Sequence, residues 1–156
     1  QLEQSVPAPG SPPPASRYRF LDWDQVRTMS RDGIAFGSHT VTHPVLSRVS
    51  EDVGRRELEA SKAAIEEQLS TPCDLFAYPN GTRADFTARD KDLLRDTGYR
   101  AAVTQIAGHN APGDDLFELR RMHVGLGVSG SLFEAHVAGL WSALRGSRSR
   151  AAGGPR

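Results

Sequence analysis

Along this chain, apolar residues alternate between helical spacing and short continuous runs. Asp22 stands at a helix start with Gln25 three positions on to complete a capping box, and Leu21 with Val26 suits a hydrophobic staple. Gly33 ends that helix, and Ile34-Ala35-Phe36-Gly37-Ser38 reads as a short buried strand. Ser50, followed by Glu51 and Asp52, opens the next helix, whose apolar stripe is Val53, Leu58, Ile65 and Leu69. Arg55–Glu59 and Lys62–Glu66 are i,i+4 pairs on its polar side. A strand is expected around Leu75-Phe76-Ala77-Tyr78, a helix from a cap at Thr87 to Gly98, and extended chain from Tyr99 to Thr104. Phe117 to Val124 is a further strand candidate, interrupted by Arg120 and Arg121. Ser131 and Glu134 form a capping box for an amphipathic last helix carrying Leu132, Phe133, Val137, Leu140, Trp141 and Leu144. This alternation with short connections predicts an α/β fold with parallel strands. Ligands of such folds gather beyond the carboxyl ends of the strands.

The two ends depart from the pattern. Residues 1–16 are proline-rich and predict an extended linker or disordered end, while residues 145–156 form an Arg/Gly tail without apolar periodicity. The domain is therefore expected over residues 17–144. With 156 residues and 38% hydrophobic composition the chain can build one core without disulfides, and its single cysteine, Cys73, excludes an internal one. Cys73 itself is expected to be a small semi-buried residue. Nineteen Lys and Arg balance nineteen Asp and Glu, which gives no electrostatic basis for binding nucleic acid or an anionic membrane. No apolar run approaches the roughly 18 residues of a transmembrane segment. The first residue is Gln1, so a removed targeting segment or a longer parent protein is expected.

The sharpest chemical feature is Gly37-Ser38-His39-Thr40-Val41-Thr42-His43-Pro44. In a continuous strand the two histidines would lie roughly 13 Å apart, whereas a turn at Thr40–Thr42 brings both rings to one side. Two such rings suit a divalent metal, zinc above all, whose imidazole bonds measure about 2.0–2.1 Å. Spacing alone leaves a second possibility open, two polar loop histidines hydrogen-bonded to backbone. Elsewhere, His136 is expected on the apolar face of the last helix and His109 in an exposed turn. Asp22 and Asp24 are explained as capping and first-turn charges.

Trp23 to Leu46, with Phe76-Ala77-Tyr78-Pro79-Asn80-Gly81 downstream, resembles the polysaccharide deacetylase family, also called NodB-homology or carbohydrate esterase family four. The likeness continues through Gly98–Thr104 and Leu119-Arg120-Arg121-Met122, covering roughly residues 20 to 140. His-Thr-Val-Thr-His-Pro matches the family's His-Ser/Thr-x-x-His motif, which implies that His39 and His43 ligate a divalent metal, most simply zinc. The resemblance implies an irregular (β/α) barrel and metal-dependent removal of N-acetyl groups from a glycan or amino-sugar conjugate. It implies that the Asn80 backbone N–H stabilises the oxyanion, with Tyr78, Pro79 and Gly81 at the substrate. His123 is the candidate for the family's late-strand general acid, although its setting departs from Leu-x-x-His. Ala77 stands where many members have an arginine that orients the base.

The family's Thr-Phe-Asp-Asp-Gly motif, source of the base and a third ligand, has no counterpart here; the one Asp-Asp pair, Asp114-Asp115, follows Ala-Pro-Gly in a loop. The expectation is therefore the carboxyl-terminal portion of a deacetylase domain, incomplete at the amino end. Two alternatives stand beside the hydrolase. One is a catalytically incomplete carbohydrate-binding remnant of the same fold, the other a structural α/β interaction domain whose histidines bind nothing. An extracytoplasmic or secreted location is expected from the resemblance and the proline-rich start.

Overall fold

A computed structural model describes residues 20–125 and 127–139 of the chain. The termini expected as linker and tail, and Leu140, Trp141 and Leu144 of the last predicted helix, lie outside the described residues. The chain divides into two compact units, one ending at Ala35 and one beginning at Phe36.

The first unit is built on helix α1, Trp23–Arg31. Its start follows the sequence: the Asp22 carboxylate accepts the Gln25 N–H at 2.9 Å and the Asp22 N–H donates to the Gln25 side chain at 3.1 Å. The helix closes through Ile34 N–H to the Met29 carbonyl at 3.0 Å. The strand expected over Ile34–Ser38 does not form. Ile34 is 49% exposed, and the only pairing in this stretch is an isolated parallel bridge from Ser38 to Phe76.

The second unit is a mixed α/β fold. Helix α2 spans Glu51–Leu69, with the Ser50 hydroxyl accepting from the Val53 N–H. Strand β1 is Leu75–Ala77, helix α3 Ala88–Asp96, strand β2 Ala101–Ala107, strand β3 Leu119–Arg121 and helix α4 Gly130–Val137. The strands form one parallel sheet in the order β1-β2-β3, with Phe76 opposite Ala102 and Val103 opposite Leu119. Phe76 and Tyr78, two residues apart, point to the same face as strand periodicity requires. Both are buried in one core with Leu46, Leu58, Leu93, Leu94 and Tyr99. Gly54 lies on the face of α2 toward α3, where a Cβ would be in ordinary van der Waals contact with the Leu93 side chain at 3.4 Å.

Several local expectations are corrected. Arg55 reaches Glu51 and Asp96, each at 3.5 Å, and not Glu59, whereas Lys62–Glu66 forms at 3.1 Å. The run expected as a strand from Phe117 to Val124 begins with a 3-10 turn, Leu116–Glu118, because the Asp115 carboxylate takes the Phe117 N–H at 2.9 Å. Only Leu119–Arg121 then pairs with β2, and Met122 and Val124 are exposed. The last helix starts earlier than its expected cap: the Ser129 hydroxyl accepts the Leu132 N–H at 3.3 Å, which places Ser131 inside the helix and Glu134 beyond the capping position. Phe133 and Val137 on that helix are exposed. His109 is only partly exposed, since its Nε2 donates to the His136 carbonyl at 2.7 Å. Cys73 is fully buried.

Candidate active site

The residues singled out by chemistry lie beyond the carboxyl ends of the parallel segments. After the Ser38 bridge the chain turns sharply, with Thr40 at φ 66° and His43 at φ 59°. Left-handed backbone at a β-branched residue such as Thr40 costs on the order of 1–3 kcal/mol and needs support from its surroundings. The turn brings the imidazoles of His39 and His43 together, ring centroids 4.8 Å apart and planes at 78°. His39 Nδ1 lies 2.7 Å from the Ala77 carbonyl at the end of β1. A carbonyl oxygen only accepts, so Nδ1 carries the proton and Nε2 holds the lone pair a metal would use. Both rings are exposed.

Support for this turn comes from α2. Glu57 Oε2 accepts the N–H of Val41 at 2.7 Å and of Thr42 at 2.9 Å, and Oε1 accepts the Thr42 hydroxyl at 2.7 Å. The His43 N–H donates to Thr40 Oγ1 at 3.1 Å. One helical turn on from Glu57, the Ser61 and Ser38 hydroxyls meet at 2.6 Å, directly before His39. Burial pushes the Glu57 carboxyl up, but the bonds from Thr42 and Val41 outweigh it and hold it below the usual carboxylate range. Sequence reasoning passed over Glu57. Its signal was a carboxylate beside the stripe Gly54, Leu58 and Ser61, which is the face of α2 that is buried.

Beyond β1, Tyr78-Pro79-Asn80-Gly81 forms a tight turn closed by the Gly81 N–H on the Pro79 carbonyl at 2.7 Å. Asn80 is exposed, has φ 58°, and its backbone N–H has no acceptor among the described residues. Tyr78, Pro79 and Gly81 are buried and underlie the exposed Asn80. Tyr78 is 1% exposed and its hydroxyl donates to the Phe117 carbonyl at 2.9 Å. Burial first, and then the negative charge of Asp90, drive its phenol far above the ordinary range. The Gly81 carbonyl accepts the Gln105 N–H at 2.8 Å.

Gln105 also borders the cleft that holds His123. This cleft of about 200 Å³ lies at the carboxyl ends of β2 and β3 and is lined by Gln105, Ala107, Arg121, Met122, His123 and Val124. Through Gln105 the Asn80 turn adjoins the His123 cleft, and through Ala77 it adjoins His39; the His39–His43 ring contact does not include His123. Asp114 and Asp115 are occupied by structural bonds. Asp114 accepts the Ala111 N–H at 2.9 Å, and Asp115 caps the 3-10 turn and pairs with Lys91 at 2.8 Å. Among the described residues no third His, Cys, Asp or Glu groups with the histidine pair to hold a metal. The donor set therefore suits two positions of a metal's coordination shell.

The sequence and fold are similar to those of known proteins. Residues 8–102 match the family described as Polysaccharide deacetylase. The Bacillus subtilis (strain 168) protein YxkH, a polysaccharide deacetylase by name, is 27% identical over 117 residues, covering 75% of this chain and 41% of that protein. The Streptococcus pyogenes deacetylase PplD, solved in complex with acetate, superposes with a TM-score of 0.69 at 27% identity, over 73% of this chain and 49% of that one. The Bacillus cereus polysaccharide deacetylase BC0361 shares the fold, with a TM-score of 0.66 at 22% identity, over 75% of this chain and 36% of that one. The chain thus spans less than half the length of each of these relatives.

Proposed function

The chain belongs to the polysaccharide deacetylase family, and from that premise we propose that it forms part of a metal-dependent hydrolase that removes N-acetyl groups from a glycan or amino-sugar conjugate. The observation that carries this reading is the approach of the His39 and His43 rings to 4.8 Å beside the end of β1. His39, with Nδ1–H fixed on the Ala77 carbonyl, would offer Nε2, and His43 would offer the second nitrogen. A divalent cation bound there, most simply zinc, would supply Lewis acidity to the acetamide carbonyl and to water.

Two of the chain's own groups would assist. The Asn80 N–H is the donor for the carbonyl oxygen as it gains negative charge, a role whose loss typically lowers kcat by about 10²–10³. His123 is the candidate to protonate the departing amine nitrogen as its bond to the acetyl carbon breaks. Water's oxygen ends in acetate and the sugar keeps a free amine. The parallel sheet is then an arc of the family's irregular (β/α) barrel, and an extracytoplasmic site of action suits a glycan substrate.

The protein carrying this chain is expected to release acetate from N-acetylated chitooligosaccharides, and chelation, His39→Ala or His43→Ala should abolish the release. Turnover that survives both substitutions would overturn the assignment of the pair. One observation favours a second reading, a carbohydrate-binding remnant: no third ligand accompanies the histidines among the described residues. Glycan binding without acetate release would identify it.

A further inference from the structure

The turn carrying the two histidines is held by a helix that the proposed chemistry does not use. Three successive amides, those of Val41, Thr42 and His43, each donate to a side chain, and the first two converge on one oxygen of Glu57. The other oxygen of Glu57 takes the Thr42 hydroxyl, so the carboxylate grips this stretch by backbone and side chain at once. Successive N–H groups aimed at one anion form a concavity that a neutral acceptor fills less well. One turn along α2, Ser61 grips Ser38, the residue that precedes His39. Helix α2 thus holds both sides of a segment whose Thr40 and His43 backbones are left-handed. A released segment would relax toward extended chain, in which the rings separate.

We infer that Glu57 is a positioning residue that keeps the His39 and His43 imidazoles converged. The inference rests on the reading of the pair as a metal site only for its consequence in metal affinity. Its core, the ring geometry, belongs to the metal-free chain. Outer groups that orient ligands typically change metal affinity by about 10–100-fold when removed.

The test compares wild type with Glu57→Ala, Glu57→Gln and Glu59→Ala, the last an exposed carboxylate on the same helix. NMR of the metal-free chain should show cross-ring contacts between the two imidazoles and slow exchange of the Val41 and Thr42 amides. Glu57→Ala should lose the cross-ring contacts and speed that exchange at least tenfold, with far-UV circular dichroism unchanged. Glu57→Gln should recover part of both, since its amide oxygen can still accept from the two N–H groups, and Glu59→Ala should match wild type. Titration with zinc alone, run against a chromophoric chelator, should then show affinity about tenfold weaker in Glu57→Ala. Wild-type ring contacts and amide protection in Glu57→Ala would overturn the positioning role. Zinc affinity unaffected by His39→Ala and His43→Ala would overturn the metal reading, and the NMR result would still decide the role of Glu57. A general loss of structure in Glu57→Ala with no partial recovery in Glu57→Gln would also count against positioning.

Discussion

At Asn80–Gly81 two residues in succession adopt left-handed backbone, and the second has no room for a side chain. A Cβ on Gly81 would lie 2.9 Å from the Gln105 nitrogen and 3.2 Å from the Tyr78 carbonyl oxygen, both backbone atoms held in the sheet region. Gly81→Ala is therefore expected to destabilise the fold by about 1–3 kcal/mol, read as a lower midpoint in urea unfolding. An unchanged midpoint would mean that the turn shifts freely, and the Asn80 donor could not then be a fixed one. Pro, Asn and Gly each favour a turn for a separate physical reason, so the sequence carries a local signal for this one. The burial of Tyr78 was legible too, two positions after Phe76 on the same face of the expected strand. The left-handed backbone at Thr40 and His43 had no such signal. It arises from Glu57, fourteen residues beyond His43 in sequence, and local propensity contains no trace of that partner.

Among the elements, α3 is tied most heavily to its surroundings by charge. Arg89 donates to the Leu46 and Val49 carbonyls at 2.7 and 3.0 Å, and Lys91 bonds Asp115 ahead of β3 at 2.8 Å. The hydrogen bond from Lys91 holds the Asp115 carboxyl below its ordinary 3.8, and the same bond holds Lys91 above its ordinary 10.5. Asp115 thus contributes stability that is present above pH 3.8 and lost as pH falls through its lowered value. The Lys91 contribution is present below pH 10.5 and lost as pH rises through its raised value. Both side chains are partly exposed, so the effect is small, on the order of 0–1 kcal/mol. Asp115→Asn should lower Tm near neutral pH, and its deficit against wild type should shrink as pH drops below 3.8. A deficit constant from pH 7 to pH 3 would show that the charge contributes nothing. The caps of α1, α2 and α3 could be read from sequence because each depends on neighbours within three residues. The extent of β3 could not, since it depends on which residues of β2 face it across a shift in register between Val103 and Ala107.

On the scale of the molecule, the alternation of helix and strand signals sufficed to predict a parallel α/β arrangement, because parallel strands require crossover connections and these are most often helices. What lay beyond that reading was how few strands of the expected order would pair, as at Ile34–Ser38, where one bridge replaces a strand. That bridge also bears on how the histidine pair comes into being. His39 meets the Ala77 carbonyl across a separation of 38 residues, and closing a loop of that length carries an entropic cost that grows as about (3/2)RT ln n. Helix α2, inside the loop, can form within about a microsecond from local contacts alone. The imidazoles are therefore expected to converge late on the folding route, after the scaffold that holds them. Removing the Ser38 hydroxyl should consequently act on escape from the native state more than on its attainment. In stopped-flow chevrons, Ser38→Ala is expected to speed unfolding severalfold and to leave the refolding rate within about twofold of wild type. A refolding limb slowed in proportion to the lost stability would place the contact between Ser38 and Ser61 in the nucleus instead. If closure is late, the proposed metal site would be the first part of this unit to open under stress and the last to be rebuilt.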